Sequence, residues 1–350
     1  MNLTLLFLIP FASLAIIFLL FFLKKNYQLF VDHPIDEVRK IHTESIITIG
    51  GVSLVSVTLS ILNLNSPILI NSLLVAYLLL LIGLIADLNK NFNSSQRFII
   101  MLFIIGFYII TNNLYVNDLN HELLNQIFLS SKIVSFIFIL LSLMFIVNGF
   151  NFIDGNNGLI LGTAIIILVN FFYYTNGYNK ELDFLILSLL LSIGTLFIFN
   201  FFFGNIICGD NGSYFLGFII GIIAILISNE NLIYSTKIAC IVFYPVFELF
   251  FSFWRRIFVQ KTKPFNPDHL HLHSLVYRAL KLKLRKSKIN FSLKIINSLT
   301  SSLILTALVI ISALLNLYAE SFGYLNFFST LCFIYLITYV YLYKLLKNNN

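Results

Sequence analysis

The sequence predicts an all-α, polytopic integral membrane protein, and three observations carry that fold class. Of 350 residues 59% are hydrophobic and only 11% charged, whereas soluble domains are about a quarter charged. The mean hydropathy is +0.93. Apolar runs recur along the whole chain at lengths near the ~20 residues that cross a hydrocarbon core. Each run is expected to be a helix, because a segment alone in lipid must satisfy its own backbone N–H and C=O groups. The chain is read as a single transmembrane domain over 1–350.

Roughly eleven spans are expected, at 3–23, 46–63, 67–86, 98–112, 131–149, 158–174, 184–200, 212–228, 234–253, 293–316 and 323–344. The first lacks a basic leader, exceeds the apolar core of a signal peptide and is followed by Lys24 and Lys25, so it reads as a retained anchor. The second and third are closely spaced. The ninth ends at Trp254, an interfacial anchor. Cys208, Cys240 and Cys332 form neither a metal spacing nor a disulfide framework and read as small buried apolar residues.

Charge assigns the sides. With loops numbered from an external N-terminus, one side holds Lys24, Lys25, Arg39, Lys40, Lys90, Arg97, the cluster from Arg255 to Lys288, Lys344 and Lys347. The other holds Lys132, Lys180 and Lys237 beside Asp118, Glu122, Glu181, Asp183, Glu230 and Glu320. The Lys/Arg excess marks the first side as cytoplasmic, giving a periplasmic N-terminus and a cytoplasmic C-terminus. Every stretch dense in Asp, Asn or His then falls on the cytoplasmic side: HPIDEVRKIH, GLIADLNKNFNSSQR, NGFNFIDGNNG, NFFFGNIICGDNGS and PFNPDHLHLH. One cytoplasmic active site built by interhelical loops is therefore expected. Residues 254–292 read as a long basic cytoplasmic loop, and KLKLRKSK (281–288) as a patch against anionic headgroups. No nucleic acid is expected as a partner.

Asp87, Asp154 and Asp210 each end an apolar helix, where a carboxylate is costly unless hydrated or paired. One such Asp could simply break a helix at the interface. Three on one membrane face, two within Gly/Asn-rich turns, suit Mg²⁺, which prefers carboxylates, waters and substrate phosphates. The glycines of GDNGS and DGNNGL expose N–H groups at helix starts, which favours anions, although they could equally be caps. Neither stretch is a P-loop or a dinucleotide fingerprint. In DHLHLHSLVYR (268–278) the alternate histidines share one face of an extended segment and suggest metal, phosphate or proton handling. Structural zinc is not expected there. Arg39, Lys40 and Arg97 sit beside the acidic loops, as phosphate capture requires and as positive-inside charge alone would also place them.

With those residues in view, the chain resembles the polyprenyl-phosphate N-acetylhexosamine-1-phosphate transferases, the bacterial undecaprenyl-phosphate GlcNAc-1-phosphate transferase-like members of glycosyltransferase family 4. RKIH followed by Gly50–Gly51, GLIADLNK, NGFNFIDGNNGL, NFFFGNIICGDNGSYFLG, YPVFELFFSFWRR and PFNPDHLHLH follow the family's motif order from Arg39 to about Arg278. The resemblance implies transfer of a sugar-1-phosphate from a UDP-sugar, GlcNAc favoured, to a polyprenyl (undecaprenyl) phosphate with release of UMP. That reaction would be the first membrane step of a cell-envelope polysaccharide such as O-antigen lipopolysaccharide, in the bacterial inner membrane. It implies Asp210 as the Mg²⁺ ligand, with Mn²⁺ as a substitute, and Asp87, Asp154, His271 and His273 as catalytic groups. Arg39, Lys40, His42, Arg97, Asn148, Asn151, Asn200 and Asp268 would bind substrate. A homodimer is an assembly found among relatives. Ala86, Asn157, Glu248 and Ser274 depart from the family pattern, Ala86 by removing the first acid of an aspartate pair. A non-catalytic membrane scaffold and a secondary transporter are the alternatives; a transporter would place its polar groups near the midplane of broken helices.

Overall fold

The computed structural model describes residues 2–32, 45–89, 91–262, 270–287, 289 and 291–348. The elements, in order, are α1 (Leu3–Tyr27), a short antiparallel pair of β1 (Val31–Asp32) and β2 (Ile46–Ile47), a 3₁₀-helix (Gly50–Asn63), α2 (Pro67–Leu88), α3 (Ser94–Thr111), α4 (Glu122–Phe128), α5 (Lys132–Ile153), α6 (Leu159–Thr175) and α7 (Lys180–Ile198). After a π-helical turn at Phe199–Phe203 come α8 (Gly209–Asn229), α9 (Ser235–Ile241) and α10 (Phe243–Trp254), which runs into a second π turn at Arg255–Val259. The chain closes with α11 (Leu272–Lys286), α12 (Leu293–Phe322) and α13 (Tyr324–Lys347).

Among the described residues eight helices are long and apolar enough to cross a membrane. They become nine if α9 and α10, bent by 76° at Val242, form one span. The segments expected at 46–63 and 158–174 are apolar helices of 14 and 17 residues, short of a span by that measure. Helix length alone therefore supports a polytopic all-α fold and not the full count of eleven.

The 14-residue helix departs from the α form for a reason visible in its pattern. Gly50, Ser53 and Ser56 recur at every third position, as do Gly51, Leu54, Val57 and Ser60; both rows are buried while Val52, Val55, Thr58 and Ile61 between them are only partly so. A 3₁₀-helix has three residues per turn, so period-three rows stack into continuous stripes. The hydroxyls of Ser53 and Ser60 donate to the carbonyls of Gly50 and Val57 at 2.8 and 2.7 Å, and the Ser56 hydroxyl meets that of Ser192 on α7 at 2.8 Å. At ~2 Å of rise per residue this segment reaches roughly 28 Å, against about 21 Å as an α-helix.

The bundle is built around α8. The apolar window of α8 is 83% buried, against 17–28% for α1, α3, α12 and α13 at the periphery. Its long flanks pack on α2 and α5, and its start packs on the 3₁₀-helix. Within 254–292 the expected loop contains an amphipathic helix, α11. Leu272, Leu275 and Tyr277 are buried while Lys281, Lys283, Arg285 and Lys286 point outward, the last two favourable at a helix C-terminus. An apolar cleft of about 790 Å³ opens between α5, α8, α9 and α10, lined by Ile137, Ile146, Ile225, Val246 and Phe250 among others.

Candidate active site

The site forms where α8 begins. Gly209 takes a φ of +76°, and a Cβ there would sit 2.0 Å from the carbonyl oxygen of Thr48, so only glycine permits this turn. The first N–H groups of α8 have no intrahelical acceptor. Two carboxylates satisfy them. Asp87, in the last turn of α2, accepts the Asp210 N–H on one oxygen (3.1 Å) and the Asn211 N–H and side-chain amide on the other (3.1 and 2.6 Å). Asp154, just past α5, accepts the Gly209 N–H at 2.8 Å. Negative charge is also favoured there by the helix dipole. The ends of α2, α5 and α8 are thereby locked together by the three aspartates that the sequence singles out.

Asp210 belongs to the same turn but faces away from those N–H groups. One oxygen accepts the Asn151 amide at 2.5 Å and the other is paired with the Arg97 guanidinium. Arg97 also reaches the Tyr214 hydroxyl at 3.3 Å, and Asn151 the Ser213 hydroxyl at 3.2 Å. The Arg97 and Asp210 side chains keep 19% and 25% of their surface exposed, so the pair is open to a ligand. Burial, aided by the charges of Asp87 and Asp210 and opposed by the Gly209 N–H, pushes the Asp154 carboxyl up to about 7. Burial and then Asp154 and Asp87 push the Cys208 thiol well above its ordinary range, which makes it an inert packing group.

Among the described residues no three of His, Cys, Asp and Glu stand close enough to share an ion. A site made of one protein carboxylate completed by phosphate and water oxygens, the habit of Mg²⁺, fits better than an all-protein cage. Asp210 has the character such a site needs: hard oxygen donors, partial exposure, and an affinity for positive charge already shown by its pairing with Arg97.

A second group of side chains borders the 154–158 turn that carries Asp154. Glu248 on α10 is fully buried. One of its oxygens accepts His271 Nδ1 at 3.0 Å and the Leu272 N–H at 3.3 Å, and the other accepts the Tyr335 hydroxyl of α13 at 2.7 Å. The His271 ring stands edge-on to Phe152 (5.2 Å) and parallel to the His273 ring (5.5 Å, 2°). The two histidines do not share an extended strand as expected, because the first precedes α11 and the second lies in its first turn; stacking brings them together instead. His273 abuts the 154–158 turn so closely that a Cβ on Gly155 would lie 2.3 Å from its Nε2. Burial, then the neighbouring His271, drives the His273 imidazole down to about 3 against the opposing pull of Glu248, so it is neutral at physiological pH.

Not every expected residue joins these groups. Asn148 donates to the Met144 carbonyl of its own helix at 2.8 Å. Asn200 is 2% exposed; it accepts the Gly158 N–H and donates to the Ile206 carbonyl at 2.5 Å, tying two turns together behind the carboxylates. Arg39, Lys40, His42 and Asp268 lie outside the described residues. Sequence reasoning missed Asn297 on α12, whose side-chain oxygen accepts the Asn156 amide (2.6 Å) and the Asn157 N–H (3.0 Å). It also missed Tyr335 and Tyr214. An Asn or Tyr within an apolar span is the one signal these carry, and it does not name a partner.

Residues 69–228 match the family model described as glycosyl transferase family 4. The chain is 27% identical over 265 residues to the undecaprenyl-phosphate alpha-N-acetylglucosaminyl 1-phosphate transferase of Thermotoga maritima, covering 75% of this chain and 79% of that one. It is 28% identical over 251 residues to a probable undecaprenyl-phosphate N-acetylglucosaminyl 1-phosphate transferase of Bacillus subtilis, covering 69% and 68%. A phospho-N-acetylmuramoyl-pentapeptide-transferase of Dictyoglomus turgidum is 28% identical over 198 residues, covering 55% and 63%. The matched region holds Asp87, Arg97, Asn151, Asp154 and Asp210.

Proposed function

The chain belongs to glycosyl transferase family 4, and from that premise we propose that it transfers a sugar-1-phosphate from a UDP-N-acetyl sugar to a polyprenyl phosphate, releasing UMP. The observation that carries this reading is the exposed Asp210–Arg97 pair, held by Asn151, at an N-terminus whose own donors are already satisfied by Asp87 and Asp154. An acceptor lipid is supported by the apolar cleft between α5, α8, α9 and α10. GlcNAc is the favoured sugar, because PDHLHLHSL lacks the three adjacent histidines of the muramoyl-pentapeptide enzymes. The expected setting is the bacterial cytoplasmic membrane, with the N-terminus outside, eleven crossings and the site on the cytoplasmic face, at the start of an envelope polysaccharide pathway.

A phosphate oxygen of the polyprenyl phosphate attacks the β-phosphorus of the UDP-sugar; the bond from that phosphorus to the bridging oxygen breaks and UMP leaves. Such transfers depend on positioning and charge neutralisation more than on covalent help from the protein. Mg²⁺, held by Asp210, would supply positive charge to the phosphoryl oxygens. Arg97, released from Asp210, is free to pair with the diphosphate, and its planar fork suits phosphate bidentately. Asn151 orients the Asp210 carboxylate. Asp87 and Asp154 act by fixing the turn, since both oxygens of Asp87 and one of Asp154 already accept backbone N–H groups. His271 and His273 sit where the sugar-diphosphate would border the 154–158 turn.

One observation favours a non-catalytic scaffold: Ala86 leaves Asp87 without the acid that precedes it in many members. UMP release by purified protein, given undecaprenyl phosphate, Mg²⁺ and a panel of UDP-N-acetyl sugars, decides between the two. Lipid- and metal-dependent release that Asp210→Asn abolishes is the expected result; folded protein that releases nothing with any sugar would leave the scaffold.

A further inference from the structure

A buried chain of hydrogen bonds runs from Tyr335 of α13 through Glu248 to His271, behind the candidate site. Glu248 has no exposed surface and sits deep between α10 and α13. A carboxylate there is costly unless each oxygen is occupied. The occupants are the Tyr335 O–H on one oxygen and His271 Nδ1 with the Leu272 N–H on the other. Tyr335 is 4% exposed and has Phe247 and Phe251 edge-on to its ring at 4.9 and 5.5 Å, so its hydroxyl is aimed by packing. His271 packs perpendicular to Phe152 and parallel to the His273 ring. A carboxylate oxygen on Nδ1 favours the tautomer with the proton there and Nε2 as the acceptor, and the Ser252 hydroxyl, 3.3 Å from the same nitrogen, can accept as well.

We propose that Tyr335 is a positioning residue for the transfer reaction, holding Glu248 so that His271 keeps its proton on Nδ1 and presents Nε2 to the polar groups of the sugar-diphosphate substrate. The inference rests on the transferase reading for its functional half, but the tautomer is a property of the protein alone. It also gives a task to the last helix, which lies beyond the residues matched by the family model. Without the Tyr335 hydroxyl, one Glu248 oxygen is left bare in an apolar setting. The carboxyl then recovers a partner by rotating or by taking a proton, and either change loosens its hold on Nδ1.

The test is Tyr335→Phe, which keeps ring and volume, beside Tyr339→Phe, one turn further along α13 and also packed on Phe251. Nitrogen-15 NMR of histidine-labelled protein in detergent reads the His271 tautomer, assigned by His271→Gln. The expected result is a single Nδ1–H tautomer in the wild type and in Tyr339→Phe, and a mixture in Tyr335→Phe. In UMP release, Tyr335→Phe should lower kcat about tenfold with KM for the UDP-sugar nearly unchanged, the size found when a hydrogen bond behind a functional His is lost. In a Glu248→Gln background Tyr335→Phe should cost nothing further, because the two act in series. A wild-type tautomer and wild-type kcat in Tyr335→Phe would overturn the proposal, as would an equal loss from Tyr339→Phe. If the wild type releases no UMP with any UDP-sugar the transferase reading falls, and the nitrogen spectrum still decides whether Tyr335 sets the tautomer.

Discussion

The two sides of the site are built on different principles. On the carboxylate side, Asp87 and Asp154 reach backbone N–H groups at the start of α8, so main chain fixes the geometry. On the histidine side, Tyr335, Glu248, His271 and His273 hold one another through side chains from α13, α10 and the edge of α11. Main-chain anchoring needs local signals: an Asp ending an apolar run and a glycine that can turn. Side-chain anchoring needs only that distant helices meet.

The largest effect expected is on the carboxylate side. Asp210→Asn should lower UMP release by roughly a thousandfold or more, as when a charge-stabilising group is removed from a preorganised site. Asn151→Ala, which removes one of the partners of Asp210, should cost about tenfold. If Glu248→Gln proves as damaging as Asp210→Asn, the histidines contribute as much to the chemistry as the carboxylates and the division between the sides fails.

Stability should separate the sides next. At Gly209 an alanine Cβ would meet the Thr48 carbonyl oxygen, a backbone atom, in a φ that L residues avoid. At Gly155 it would meet the His273 ring, a side chain. Gly209→Ala is expected to cost about 3 kcal/mol and Gly155→Ala about 1 kcal/mol, because main chain cannot step aside and a ring can. Melting of the purified variants in detergent measures both, and equal losses would show that the histidine side is as rigid as the turn it borders. A smaller contrast lies within one helix turn: Asn148→Ala, whose amide bonds its own helix, should stay within about threefold of wild-type activity while Asn151→Ala does not.

How far the sequence could be read follows the same division. The apolar runs announced a polytopic helical fold, and Asp87, Arg97, Asn151, Asp154 and Asp210 met where polar residues interrupt the ends of such runs. Asn148 and Asn200 share the motif's spelling but serve their own helix and a neighbouring turn, a distinction that depends on which side of a helix a residue faces in the bundle. At His271 and His273 the spacing predicts one face of an extended segment, and the start of α11 between them breaks that period of two. The 3₁₀ geometry of Gly50–Asn63 is written as period-three rows of small and apolar residues, a signal that apolar content alone does not carry. Tyr335 and Asn297 were illegible for a simpler reason: nothing near them in the chain says that α12 and α13 return to the site.

The mildest effect is also the one that sets the two sides most directly against each other. Burial moves Asp154 and His273 in opposite directions, because it penalises the charged form of each. The Asp154 carboxyl is raised from 3.8 to about 7, so its contribution to stability is complete below pH 3.8 and is lost as pH rises through 7. The His273 imidazole is lowered from 6.5 to about 3, so its contribution is complete above pH 6.5 and is lost as pH falls through 3. Between pH 3.8 and 6.5 the two slopes oppose. Asp154→Asn removes a falling slope, so relative to the wild type its melting temperature should climb with pH across that window. His273→Gln removes a rising one, so relative to the wild type its melting temperature should decline instead. Melting curves of the metal-free proteins in detergent with EDTA at half-unit pH steps make the comparison, and two variants that both run parallel to the wild type would mean that neither group carries its burial as a free-energy cost.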